Sequence, residues 1–212
     1  MVILGNAHAR RAPFHRTDGS TAHVRRRNPT VVTERFFVIT GSSGSGKSTL
    51  LGELGKLGYA TVAEVGRAIV QEQVALGGRA LPWVDHPAFM EEVLARNVRD
   101  HRSALSMRPP VFFDRAVPEV LCWARLLGIG VQPHHRAAVD RCRYHKKVFV
   151  TEPWPEIYAT DSERRESYER SLESYQPTLA AYVEAGYELC VIPKVELEER
   201  VRFVLARSGS DD

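Results

Sequence analysis

The chain has 212 residues, 43% of them apolar and 26% charged, with a formal net charge of +3. Its apolar runs are too short to cross a bilayer, and Arg10 and Arg11 are not followed by a secretory apolar region, so a cytoplasmic protein is expected. Three scattered cysteines, Cys122, Cys142 and Cys190, argue for reduced thiols and against a disulfide framework or a zinc site.

Residues 1–33 carry six arginines (Arg10, Arg11, Arg16, Arg25, Arg26, Arg27) against Asp18, which leaves the remainder of the chain at −2. With no hydrophobic period and breaks at Pro13, Gly19 and Pro29, this stretch reads as a disordered, solvated basic tail. Docking of the tail on RNA, acidic lipid or a protein partner is the alternative. The negative remainder argues against a nucleic-acid groove in the main domain.

Phe36 to Thr40 is short, apolar and β-prone, as a buried strand should be. It runs into Gly41-Ser42-Ser43-Gly44-Ser45-Gly46-Lys47-Ser48, which fits G-x-x-x-x-G-K-[ST] at every fixed position. Leu50, Leu51 and Leu54 then share one helical face beyond Thr49. Strand, glycine loop and helix are the context in which this motif cradles polyphosphate. Glycines let successive N–H groups converge, and the helix adds the positive end of its dipole. Gly41 to Thr49 are therefore the expected ATP-phosphate contacts, with Lys47 reaching the β- and γ-phosphates and Ser48 ligating Mg²⁺.

Further along, Tyr59 to Ala63 predicts a second strand, followed by a helix over 65–76 that stops at Gly77-Gly78. Asp85 is an N-cap candidate for a long helix carrying Phe89, Val93, Leu94, Val98 and Leu105. Val111 to Phe113 predicts the third strand, ending at Asp114, and Pro118 opens a helix that closes at Gly128. A helix is expected over 133–144, which makes His134-His135 a helix start, and Val148 to Val150 is the fourth strand. After a polar loop, one helix is predicted from about Arg164 to Ala185, then a fifth strand over Glu188 to Ile192 and a last helix carrying Leu197, Val201, Val204 and Leu205. Short apolar strands alternating with helices predict an α/β fold with a five-stranded parallel sheet covered on both faces. Ligands of such sheets sit beyond the strand carboxyl ends, which singles out Gly41, Glu64, Asp114 and Thr151-Glu152.

Several side chains at that rim suit phosphoryl transfer. Asp114 is placed as a Walker B carboxylate that shares Mg²⁺ with Ser48, or else as a helix cap. Arg115 can clamp substrate or a phosphate oxygen through its planar fork. Glu64 can take the proton of an attacking hydroxyl, and Arg67 can hold Glu64 or the acceptor; an ion pair at a helix start is the plain alternative. Asp161, Arg164, Arg165 and Arg170 lie where a lid would fold over ATP, with Arg164 the candidate that neutralises the transferring group. The interspersed acids allow a solvated helix face instead.

Gly41 to Ser48, Glu64 with Arg67, Phe113-Asp114-Arg115 with Pro118-Glu119, and Thr160-Asp161 with Arg164 together resemble the predicted ATPases of the AAA-domain group. That group includes the nicotinamide-riboside kinase domain of a bacterial NAD regulator, and the likeness spans about residues 35–206. Deoxynucleoside kinases are more distantly similar. The resemblance implies a three-layer α/β/α P-loop NTPase fold of the nucleoside and nucleotide kinase type, with ATP, Mg²⁺ and an Arg-bearing lid near 153–170. It implies a domain over 34–208, with 209–212 as a short tail. The absence of an N-K-x-D motif argues against a GTPase. Two functions remain: a kinase passing the ATP γ-phosphoryl group to a nucleoside, nucleotide or other small acceptor, or a slowly hydrolysing regulatory switch with a protein partner. The acceptor and the oligomeric state stay open.

Overall fold

The computed structural model describes residues 33–158 and 168–209, apart from the side chain of Arg170. The first 32 residues of the expected tail, the lid residues Asp161, Arg164 and Arg165, and residues 210–212 lie outside the described set. Strands β1 (Phe36–Gly41), β2 (Ala60–Val62), β3 (Val111–Asp114), β4 (Lys147–Thr151) and β5 (Glu188–Ile192) form one sheet in the order β2-β3-β1-β4-β5. Every pairing is parallel, with Ile39 opposite Asp114 and Gly41 opposite Thr151 in register.

Alternation along β1 assigns the two faces of the sheet. Phe36 and Val38 pack with Val111, Phe113 and Val148 beneath α4 (Glu119–Leu126) and α7 (Tyr175–Glu184). Phe37 and Ile39 pack with Phe112, Phe149 and Ile192 beneath α1 (Lys47–Lys56) and α8 (Leu197–Ser208). Each fully buried Leu or Phe contributes about 2 kcal/mol, so both faces are fastened independently. The helix after β1 and the helix after β3 therefore lie on opposite faces. Their strands are neighbours, and the crevice between these two carboxyl ends is where an open α/β sheet takes its ligand. A smaller cluster, Val65, Ile69, Phe89 and Met90, joins α2 (Gly66–Leu76) to α3 (His86–Ala104).

Three expectations change. The second strand is only Ala60–Val62, a half-buried edge, so Glu64 sits two residues beyond it. The helix over 133–144 stops early as α5 (Pro133–Arg141). The single helix from Arg164 to Ala185 is instead, within the described residues, α6 (Tyr168–Glu173) and α7, parted at Ser174. The part that packs on the sheet is α7, through Ala181 and Tyr182. Asp85 is the expected N-cap, its Oδ1 accepting from the Ala88 N–H at 3.0 Å.

Candidate active site

β1 ends at Gly41, whose φ is 132°; a Cβ there would lie 2.0 Å from the Thr151 carbonyl oxygen, so glycine alone fits the turn. The loop is tied to β4 from several points. The Ser42 N–H donates to the Thr151 carbonyl at 3.3 Å, and the Ser45 and Thr151 hydroxyls pair at 2.5 Å. Ser45 Oγ also donates to the Ser42 carbonyl at 2.7 Å. Gly46, at φ 79°, is the N-cap of α1 and brings no side chain to cap it. The first N–H groups of the helix are left facing the loop interior, where an anion would satisfy them.

Arg200 of α8 holds this loop from outside. Its Nη2 donates to the Ser45 carbonyl at 3.1 Å, and the guanidinium lies over the Trp154 ring, 5.6 Å from its centroid. It is only 5% exposed, and burial holds its pKa below the usual arginine value. In a trans peptide C=O and N–H point opposite ways, so anchoring the Ser45 carbonyl outward turns the Gly46 N–H inward. The sequence reading passed over this residue; an arginine on the last helix carries no local signal.

Lys47 differs from expectation. A P-loop lysine free of nucleotide could stand in solvent, but Lys47 is 7% exposed, and Nζ donates to the Ser42 carbonyl at 2.7 Å. Burial first, then the neighbouring Arg115 charge, lowers its pKa to about 8. The loop wraps its own lysine, because the carbonyls of residues 41 and 42 face the same pocket as Nζ. Ser48 Oγ donates to Asp114 Oδ2 at 3.0 Å across the crevice. Asp114 Oδ1 is buried and has no hydrogen-bond partner among the described residues. A carboxylate oxygen left bare beside a hydroxyl is the donor set a hard divalent cation takes, so the pair fits Mg²⁺.

Arg115 has a positive φ of 64°, with its N–H on the Ile39 carbonyl at 3.0 Å. Its Nη1 donates to Glu119 Oε2 at 2.7 Å. Glu119 is itself buried, and its Oε1 accepts from Thr40 Oγ1 at 2.6 Å and Tyr182 OH at 3.3 Å. The carboxylates of Glu119, Glu64 and Asp114 raise the Arg115 pKa against the effect of burial. The sequence reading quoted Glu119 but gave it no task. Its spacing from Arg115, four residues into a helix start, was the available signal.

Glu64 accepts the Gly66 N–H on Oε1 at 2.7 Å and so caps the start of α2. It also lines a cavity of about 340 Å³ that reaches the phosphate loop at Ser43 and includes Gly66, Arg67, Asp114 and Arg115. The far walls are aromatic and apolar, among them Trp83, His86, Phe89 and Trp123. Arg67 is exposed on the first turn of α2. Thr49, also exposed, follows Ser48 in α1. At the edges of the expected lid, the Tyr158 ring covers Gly44, and buried Ser171 of α6 meets Ser42 through hydroxyls 3.4 Å apart. Away from the site, Glu91 gathers His134 and His135. His135 Nδ1 caps α5 by accepting the Gln132 N–H at 3.1 Å, so its Nε2 carries the proton and donates to Glu91 rather than ligating a metal.

Among the described residues no helix is long and apolar enough to cross a membrane. No curated protein sequence matches the chain. Among solved structures, deoxyadenosine kinase from M. mycoides with bound products is 16% identical, covering 82% of this chain and 99% of its own, at a TM-score of 0.58. The NadR protein in complex with NR is 16% identical over 83% of this chain and 53% of that one, at a TM-score of 0.62. Thymidylate kinase from Ehrlichia chaffeensis is 14% identical over 81% and 97%, at 0.54. At such identities the likeness is one of fold, the P-loop α/β fold of nucleoside and nucleotide kinases. A family model described as an AAA domain matches residues 36–200, and the chain belongs to that AAA-domain family.

Proposed function

We propose that the protein is a phosphotransferase that moves the γ-phosphoryl group of ATP to a hydroxyl of a small acceptor. One observation carries the reading: a single cavity joins Ser43, Asp114 and Arg115 beside the phosphate loop to Glu64 and then to an apolar chamber. A nucleotide switch needs the first part and has no use for the second. The kinases of this fold named above give the acceptor a nucleoside or nucleotide character.

In this reading the triphosphate lies along Gly41–Thr49, on the N–H groups at the start of α1, with Lys47 exchanging the Ser42 carbonyl for phosphate oxygens. Ser48 and the bare Oδ1 of Asp114 would hold Mg²⁺, which neutralises charge on the β- and γ-phosphates. Arg115, fixed by Glu119, has N–H donors left to face the transferring group. Glu64 receives the acceptor proton on Oε2, since Oε1 is engaged by Gly66. Arg67 orients the acceptor, while Arg164 lies outside the described residues.

ADP release is the direct test, measured with Mg-ATP against a panel of small alcohols. Stimulation of more than about tenfold by one compound is the expected result. A flat response across the panel returns the protein to the switch class.

A further inference from the structure

Glu119, at the first position of α4, is only 5% exposed and lines the cavity together with Glu64. Hydrogen bonding separates the two carboxylates. Glu64 has Oε1 on the Gly66 N–H and Oε2 without a hydrogen bond among the described residues. Glu119 has both oxygens taken: Oε1 accepts from Thr40 Oγ1 at 2.6 Å and Tyr182 OH at 3.3 Å, and Oε2 accepts from Arg115 Nη1 at 2.7 Å. Donors on the charged form favour that form, so a carboxylate engaged in this way is a poor proton acceptor. Glu119 holds rather than reacts.

The two hydroxyls that fix it belong to rigid elements. Thr40 precedes Gly41 in β1, and its own carbonyl accepts from Thr151 Oγ1 at 3.1 Å, so it is tied to the root of the phosphate loop. Tyr182 is fully buried on α7, where that helix packs on the sheet. The carboxylate is therefore gripped from β1 on one side and from α7 on the other.

Arg115 is what this grip serves. It is the one residue other than glycine with a positive φ among the described residues, a conformation that costs free energy and persists where its surroundings impose it. Only Nη1 is held; Nε and Nη2 make no hydrogen bond among the described residues, and the side chain lines the cavity with Asp114 and Ser43. For stability alone an apolar pair would do as well, since desolvating two charges offsets their attraction. Backbone strain and a buried carboxylate that converge on one guanidinium point to its placement.

We propose that Glu119 is a positioning residue, given the transfer reaction proposed above: Thr40 and Tyr182 fix its carboxylate, and the carboxylate leaves the Nε and Nη2 donors of Arg115 facing the phosphoryl group in transit. Tyr182 makes α7 the strut behind that aim.

Calorimetry on the full chain with Mg-ADP, without and with fluoroaluminate, reads the aim of Arg115 and needs no acceptor. Fluoroaluminate beside ADP stands in for the transferring phosphoryl group, and the parent should bind Mg-ADP at least about tenfold more tightly in its presence. Glu119→Gln keeps the size and the Oε1 acceptor but turns an amide donor toward the Arg115 donor. Mg-ADP affinity alone should be unchanged, while the fluoroaluminate gain falls to the level of Arg115→Ala. The double variant should lose nothing further, a coupling that a merely structural glutamate would not produce. With an acceptor that stimulates ADP release, kcat should fall about 10- to 1000-fold at unchanged KM for ATP. Tyr182→Phe removes one donor from Oε1 and should cut the gain about threefold, which keeps the test decisive should Glu119→Gln fail to fold. Equal losses with and without fluoroaluminate, additive losses in the double variant, an undiminished gain in Tyr182→Phe, or a parent without any gain overturns the proposal. A gain lost as expected while no acceptor ever stimulates ADP release upholds Glu119 and removes the transfer to an acceptor. Stimulated ADP release with parent kcat in Glu119→Gln does the reverse.

Discussion

The two ends of the cavity are built on opposite principles. At the phosphate end nearly every polar atom is engaged: Ser45 with Thr151 and Ser42, Lys47 with Ser42, Arg115 with Glu119, and Glu119 with Thr40 and Tyr182. Asp114 Oδ1 is bare among the described residues, and it lies where a cation belongs. At the other end the groups are large, apolar and partly exposed. The first end is preorganised by the fold and so suits a fixed chemistry. The second is shaped mainly by apolar side chains, which is how a specificity pocket differs from a catalytic one.

The largest effect should come from breaking the link between the ends. Glu64→Gln keeps the size and the Oε1 acceptor that caps Gly66, so the fold should be untouched. It removes proton acceptance, and single-turnover phosphoryl transfer should fall by about two to four orders of magnitude with binding preserved. A near-parent rate would leave Glu64 as a cap alone.

Asp114→Asn attacks the phosphate end. The shape is kept while the charge that draws a hard cation is lost. ATP affinity in EDTA should stay close to the parent value, and the gain on adding Mg²⁺ should disappear in calorimetry. An intact gain would place the metal elsewhere.

Lys47 sharpens the comparison through pH. Its folded pKa, about 8, lies below the ordinary 10.5, so between these values the folded chain sheds a proton that the unfolded chain keeps. The Lys47 contribution to stability therefore rises with pH across that window in the nucleotide-free protein. Triphosphate favours the charged form, so ATP affinity should fall over the same window, by up to about tenfold per pH unit. Lys47→Arg, whose charge persists, should flatten the slope. A parent slope already flat between pH 8 and 10 would contradict the buried placement.

This contrast also explains what could be read from residues alone. The strand-loop-helix run at Phe36–Leu54 was legible because its signals are local and its glycines are demanded by backbone geometry. Asp114 followed because strand ends of a parallel sheet converge at one rim. Lys47 burial was not legible: it depends on where the carbonyls of residues 41 and 42 point, which no residue pattern encodes. The break at Ser174 was hidden because the helical period runs on through it. The acceptor chamber was hidden for another reason. Trp83, Asn97 and Trp123 come from three separate stretches, and each reads as ordinary amphipathic packing until tertiary structure brings them together. Arg200 lies 155 residues from the carbonyl it holds.

The smallest effect is expected at Arg200, and it tests whether the order of the phosphate end is inherited from outside. Arg200→Met removes a buried cation that forms no ion pair among the described residues, which relieves desolvation, and it loses the bond to the Ser45 carbonyl and the stack on Trp154. These terms oppose each other, so the melting temperature should move little. With the Ser45–Gly46 peptide freed to rotate, one inward N–H is no longer held for phosphate. Affinity should then fall about three- to tenfold, the worth of one hydrogen bond. The loss should be equal for Mg-ATP and for inorganic tripolyphosphate, which touches the loop and has no base. A deficit confined to ATP would move Arg200 to the adenine side, and a lowered melting temperature with intact affinity for both would make it a packing residue alone.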